Sequence, residues 1–499
     1  MRKHQQKKIL ELLRTIEEAQ SAGLLADCQD GALNVGEYIE SLSGEGTQTV
    51  ALLEEYCELL FKASGGEIGE KQLRRHLIKV ENSAKYELKP DKIEVAFLPY
   101  NITMWDSLES IWLAAKDDPQ CDAYVIPIPY YELLPNGSLG EMHYDGNLYP
   151  NTISIMDWQE YDVELRNPDI IFTHYPYDDN TSNASIHPDF YSKKLRQHCG
   201  LLVHVPYFVL ISGDMPDYFA YLPGVLFAHK VIVQSEDVRK SYIDQYKVKD
   251  KESGLTIQFG KADEKFVALG SPKFDKVINS KRSDFDIPKE WQKLICRSDG
   301  LRKTVFLYNT HMFTWLDKGE SYFDKLYIIF SEFRNRDDAV LWWRPHPNTE
   351  LNFRTKRPHL LDAYYKITNE FKSESIGIYD DTPDLNRALA CSDAYYGDWS
   401  SLIVLFGVLG KPIFIHNIQE KCCNAIDRYV TYSSNTIDDT YPNLNVFDFV
   451  TSEMSDKHLA LSKDGTIAGQ KEAFSSLTTF SDGSAGRHIY EYAKNLILS

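Results

Sequence analysis

Apolar residues recur at helical spacing at the start of the chain and in short unbroken runs after residue 90, and this change of period is the first structural signal. Ile9, Leu10, Leu12, Leu13 and Ile16 form one stripe, and Val50 to Phe61 carry a second helical run. Gly65-Gly66 and Lys89-Pro90 punctuate the end of that region. The pattern predicts a helical N-terminal region over residues 1–90. Beyond it, Lys92 to Leu98, Ala123 to Ile128, Ile170 to Phe172, Leu201 to Val203 and Val231 to Val233 read as strands. Helices are expected over Met104 to Lys116 and from Glu236. Strands alternating with helices imply a parallel, doubly wound sheet.

A stretch rich in charge and Ser/Gly, from Asp250 to Lys261, reads as a linker. A second series follows it. Lys265 to Leu269, Thr304 to Tyr308, Val340 to Trp343, Ala394 to Tyr396 and Ile413 to Ile415 are its strands, and Phe323 to Phe333 is a helix. A last helix spans His488 to Leu498. The expected fold class is α/β, with two Rossmann-like halves of the same architecture. The expected divisions are a helical region 1–90, an N-terminal Rossmann-like domain 91–255, a C-terminal one 256–480, and a C-terminal helix 481–499. Ligands of such folds sit beyond the carboxyl ends of the strands.

Composition narrows the function. The 499 residues are 43% hydrophobic, enough for more than one buried core. The formal net charge of −19 argues against nucleic-acid binding and requires any polyanionic ligand to meet a local basic site. Cys28, Cys57, Cys121, Cys199, Cys296, Cys391, Cys422 and Cys423 contain no C-x-x-C pair, so reduced thiols in a cytoplasmic protein are expected rather than disulfides or zinc. The N-terminus lacks a signal-peptide core, and the longest apolar run, Leu402 to Leu409, suits a buried helix. Arg2, Lys3, Lys7, Lys8 and Arg14 decorate the first helix. Such a helix could touch an anionic membrane peripherally, but its short stripe without Trp or Phe suits a packing helix better.

Polar groups gather where strands end. After the strand at Ala394 comes Gly397-Asp398-Trp399-Ser400-Ser401, then an apolar helix closed by Gly410 and Pro412. Asp398 or Ser400 can cap that helix, and its free amides with two hydroxyls make a phosphate cradle, or simply an ordinary cap. Arg344-Pro345-His346-Pro347 leaves the preceding strand in an extended turn. There Arg344 can clamp phosphate through two donors, and His346 can donate or move a proton. Gly270-Ser271-Pro272-Lys273 permits close backbone approach and adds donors, and Asn309-Thr310-His311 follows another strand. In the N-terminal half, His204 and His174 both sit at strand ends. Either could take a proton from an acceptor hydroxyl, and either could be structural.

Taken in order, these segments resemble the CDP-glycerol glycerophosphotransferases of teichoic-acid-type polymer synthesis. The resemblance spans roughly residues 200–420. It rests on Gly270-Ser271-Pro272, Asn309-Thr310, Arg344-Pro345-His346-Pro347, Asp398-Trp399-Ser400-Ser401 and Lys411-Pro412. It implies a GT-B fold with two domains facing a cleft. It also implies donor binding by Gly270, Ser271, Asn309, Thr310, Arg344, Asp398, Ser400 and Ser401, with His346 on the phosphates. The family's catalytic histidine lies in a Trp-His-Gly-Thr-Pro element, where this chain has Val203-His204-Val205-Pro206, so His204 is the positional counterpart. The implied partners are a CDP-activated polyol donor and a glycan or polyol-phosphate acceptor, at the inner face of the membrane. No protein-bound metal is implied, although the diphosphate could carry magnesium. A nucleotide-sugar glycosyltransferase and a non-catalytic scaffold are the alternatives.

Overall fold

The computed structural model describes residues 1–88, 92–134, 136–181, 184–210, 215–347, 349–398, 400–415, 431–432, 475 and 477–499. Trp399, Cys422, Cys423 and much of the expected 256–480 domain beyond residue 415 lie outside them.

Four helices open the chain: α1 (Lys3–Ser21), α2 (Leu25–Ser43), α3 (Gln48–Ser64) and α4 (Glu70–Tyr86). Ile9, Leu13 and Ile16 of α1 pack with Val35, Leu53, Leu77 and Val80 into a core of their own. The bundle is bolted to the amino ends of the first sheet. Asp169, fully buried, accepts from the His4 amide at 3.0 Å, from His4 Nδ1 at 2.8 Å and from the Glu94 amide at 3.0 Å. Arg2 pairs with buried Glu94, which also receives Arg166. Lys7 donates to the Leu496 carbonyl and Lys8 lies over the Tyr38 ring. Half-buried Arg2 and Lys7 and exposed Lys8 thus make their contacts within the chain. Among the described residues no helix is long and apolar enough to cross a membrane.

The first sheet contains β1 (Ile93–Leu98), β2 (Cys121–Val125), β5 (Ile170–Thr173), β7 (Leu201–His204), β8 (Lys230–Val233) and β9 (Phe266–Ala268). Its order is β2-β1-β5-β7-β8-β9, parallel throughout. A small antiparallel sheet of β3 (Tyr130–Leu133), β4 (Leu139–His143) and β6 (Ala184–Ile186) is appended. The second sheet contains β10 (Thr304–Thr310), β11 (Ala339–Pro345), β12 (Gly377–Tyr379), β13 (Ala394–Gly397), β14 (Ile413–Ile415) and β15 (Thr431–Tyr432). Its order is β12-β11-β10-β13-β14-β15, again parallel. In β10, Val305 and Leu307 enter one core while Phe306 and Tyr308 enter another. Val340 and Trp342 of β11 alternate with Leu341 and Trp343 in the same way. Burial on both faces explains runs without polar alternation. Two Rossmann-like sheets therefore face each other in a GT-B-like arrangement.

Two expectations about the middle of the chain are corrected. The stretch 250–261 is no linker: one helix runs Glu236–Ser253 and another Leu255–Phe259. Asp250 accepts from the amide and hydroxyl of Thr256 across the corner, where Gly254 takes a left-handed φ of +63°. The strand expected to open the second series, β9, instead closes the first sheet. Its Phe266 is buried against Tyr242 and Tyr246 of the helix before it. The first Rossmann-like unit thus extends past residue 255 to Ala268. The 3-10 helix Ile102–Ser107 also precedes α5 (Glu109–Lys116), where one continuous helix was expected. Finally, the helix Ala485–Leu498 returns to the first unit, packing Ile489, Tyr490 and Ala493 against Ile111 and Trp112.

Asp169→Ala would leave three donors without their acceptor, at a cost of about 3–5 kcal/mol. Limited proteolysis should then release the helical bundle several-fold faster than from wild type. Unchanged cleavage kinetics would show that Asp169 does not bolt it down.

Candidate functional site

Parallel register carries the site. Asn309 of β10 lies abreast of Arg344 on one side and Gly397 on the other. Residues 35 and 88 positions apart from Asn309 in sequence become neighbours at the carboxyl edge, where the strand order turns outward from β10 in both directions. Gly397 has φ +149°, and a Cβ there would stand 2.2 Å from the Asn309 carbonyl oxygen. Only glycine permits this approach.

Beyond this edge is a crevice of about 170 Å³. The second half contributes Lys273, Asn309, His311, Arg344, His346, Ser400 and Ser401 to its wall. The first half closes it with Thr103, Met104, Tyr207 and Phe208. The Arg344 guanidinium is held by Asp380 at 2.9 Å and by the Thr382 carbonyl at 2.6 Å. Asp380 is fully buried and receives the Trp342 indole at 2.8 Å, and Arg387 stands 3.6 Å away. Arg387 shares Asp380 with Arg344 without reaching the lining, and Arg344 and Lys273 give this wall its positive bias within an acidic protein. Asn309 Nδ2 donates to Tyr395 Oη at 3.2 Å and to Ser400 Oγ at 3.1 Å, fixing the serine beside it. Ser400 Oγ also accepts from the Leu402 amide at 3.2 Å, just ahead of the short helix Leu402–Gly407, whose N-cap residue is Ser401 with no side-chain cap bond.

His346 donates its amide to the Thr310 carbonyl and meets His311 edge-on, their rings 5.4 Å apart. Burial, with the neighbouring His311 adding to it, pushes the His346 imidazole down to about 4. It is therefore neutral near pH 7, and an anion entering the crevice would favour its protonated form.

The structure brings together Asn309, Arg344, His346, Ser400 and Ser401, and adds Lys273 and His311 from segments already flagged. It puts the remaining candidates elsewhere. Asp398 is fully buried behind the crevice, where it accepts from the His311 amide, Tyr322 Oη and Lys325 Nζ. Thr310 accepts the Trp343 indole N–H at 3.1 Å within the core. Gly270 and Ser271 border a separate small hollow with Leu210 and Gln234. At φ +84°, a Cβ on Gly270 would stand 2.9 Å from Ala485 Cβ, so the glycine makes room for the C-terminal segment.

Neither N-terminal histidine lines the crevice. His204 is fully buried, with Nδ1 3.4 Å from Thr173 Oγ1, and burial followed by the Lys265 charge lowers it to about 3. His174 accepts the Tyr100 amide on Nε2 at 3.0 Å, so Nδ1 carries the proton towards Ser107 Oγ at 2.8 Å. Burial, then His204 and Lys273, lower it to about 3 as well. His174 ties down the loop before α5. Tyr207 and Phe208, a few residues after His204, reach the crevice without any charge to mark them in the sequence.

Residues 235–431 match the family described as CDP-Glycerol:Poly(glycerophosphate) glycerophosphotransferase. The matched stretch contains every crevice residue of the second half and none of the first. No curated protein matches the chain. Solved structures similar to it include a putative UDP-N-acetylglucosamine 2-epimerase from Listeria monocytogenes, 15% identical, covering 81% of this chain and 96% of that one, TM-score 0.47. An S. aureus MnaA–UDP structure is 13% identical over 82% and 98%, TM-score 0.47. The wall teichoic acid polymerase TagF is 11% identical over 91% and 98%, TM-score 0.47.

His174, His204 and His346 all have folded-state values below the ordinary imidazole value of 6.5. Below pH 6.5 the unfolded chain takes up protons that the folded chain refuses. The stability these groups contribute is full above pH 6.5 and is lost as pH falls towards 4. His204→Gln should flatten this acid loss by up to about 1.4 kcal/mol per pH unit. Thermal denaturation at pH 7 and pH 5 checks it, and an equal drop in both proteins would contradict the burial argument.

Proposed function

We propose that the chain transfers glycerol phosphate, or a related polyol phosphate, from CDP-glycerol to a hydroxyl of a glycan or polyol-phosphate acceptor in cell-envelope polymer synthesis. One observation carries this reading. The segment that matches the glycerophosphotransferase family folds its Arg344, His346, Asn309 and Ser400-Ser401 into a single positively biased crevice at the switch point of its sheet.

The acceptor oxygen attacks the β-phosphorus, the bond from that phosphorus to the bridging oxygen breaks, and CMP leaves. Such chemistry depends on positioning and on neutralising charge. Arg344 is held rigidly by Asp380 and so meets the diphosphate without reorganising. His346 and the Ser400 and Ser401 hydroxyls supply further donors. His346 takes up a proton as the anion arrives, and this stabilises the charge that develops on the leaving phosphate. The first half's wall, Thr103, Met104, Tyr207 and Phe208, is where the acceptor approaches. Both His204 and His174 stand outside it, so the acceptor's proton passes to a group already in the crevice, and with His346 protonated as the anion arrives, His311 is the imidazole that takes it.

Purified chain given CDP-glycerol with polyol-phosphate acceptors should release CMP. His346→Ala should lower kcat/KM by about 100-fold or more with the circular dichroism unchanged. A fully active variant rejects the role of His346. Release of a nucleoside diphosphate from UDP- or GDP-sugars, with none of CMP, replaces the reading by a sugar transferase.

A further inference from the structure

The helix Pro272–Asn279 joins the two halves, and its faces are divided between them. Phe274 and Val277 enter the core of the second sheet. The charged residues of the same helix, Lys273, Asp275 and Lys276, reach back to the first half or to the C-terminal helix packed on it. Lys276 pairs with Glu109 at 2.8 Å. Asp275 accepts from Ser110 Oγ at 2.8 Å and from the amides of Ala485 and Gly486 at 2.9 and 2.7 Å. Lys273 pairs with Asp106, at the end of the 3-10 helix that also carries Thr103 and Met104.

The last pair differs from the other two because Lys273 lines the crevice. Both partners are more than nine-tenths buried, at 7% exposure each. The ammonium has three N–H donors and its single recorded contact among the described residues is Asp106 Oδ1, which leaves two donors for a ligand. The other carboxylate oxygen, Oδ2, is buried and has no hydrogen-bond partner among the described residues. An ion pair so incompletely satisfied is a poor structural device, because its desolvation is not offset by further bonds. A carboxylate that holds a lysine in place for an anion explains the same arrangement.

We propose that Asp106 is a positioning residue for donor binding: from the first half it sets the Lys273 ammonium at the crevice wall, where Lys273 contacts the phosphates of the nucleotide. This rests on the reading of the crevice as a diphosphate site. Donor affinity then depends on contact between the halves, although no residue of the family-matching segment touches the ligand from the first half.

The test is a double-mutant cycle on the full chain, with KM and kcat for CDP-glycerol and the Kd for CDP as readouts. Asp106→Asn keeps the shape and removes the charge. It should raise KM and Kd on the order of tenfold. Lys273→Met should do at least as much. The double variant should match Lys273→Met alone, because Asp106 acts only through the lysine. Asp106→Glu should recover most of the affinity. Additive losses, or a fall in kcat with KM unchanged, would overturn the proposal. If Asp106→Asn does not fold, Asp106→Ser in the same cycle serves instead. Wild-type chain that binds neither CDP nor CDP-glycerol brings down this proposal together with the diphosphate reading. Wild-type binding with additive variants sinks the proposal alone.

Discussion

The register of β10 between β11 and β13 is the constraint on which the crevice depends. Side chains alternate along a strand, so a slip of one residue would exchange every crevice-facing group for a core-facing one. The backbone fixes that register through the approach of Gly397 to Asn309, and the core fixes it through Val305, Leu307, Trp342 and Trp343. Packing in the sheet interior thereby determines which groups stand at its edge. Asp380 extends the same logic outward. It is anchored by the Trp342 indole and in turn anchors Arg344, so a tryptophan in the core aims a cation at the ligand.

The acidic surface and the basic crevice complement each other. At a net charge of −19 the protein repels polyanions in general, while the crevice gathers the cations Arg344 and Lys273 in its lining. The buried imidazole of His346 adds a charge only when an anion is present to favour it. Selectivity for a phosphorylated ligand is then a property of a few buried groups.

Most strands of both sheets were readable from the sequence because they are buried on two faces and appear as unbroken apolar runs, whereas the two- and three-residue edge strands β15 and β12 were not read. Phe266–Ala268 was read as a strand but assigned to the wrong sheet. A three-residue run carries no record of its neighbour, and the deciding contacts come from Tyr242 and Tyr246. Arg344, His346 and Ser400 were legible because two prolines and a glycine mark the ends of their strands. Thr310 and Asp398 sit at the same ends but turn into the core, and strand-end position alone does not distinguish the two directions. The first half's wall was not legible, since Thr103, Met104, Tyr207 and Phe208 have no chemistry that stands out. Nor was the pairing of Asp106 with Lys273, which are 167 positions apart.

The returning C-terminal helix has a mechanical meaning. The chain passes from the first half to the second beside Gly270 and comes back beside Ala485, and these two points nearly touch. Two covalent connections therefore lie side by side, and their spacing is set by a glycine: a larger residue at position 270 would press on both at once.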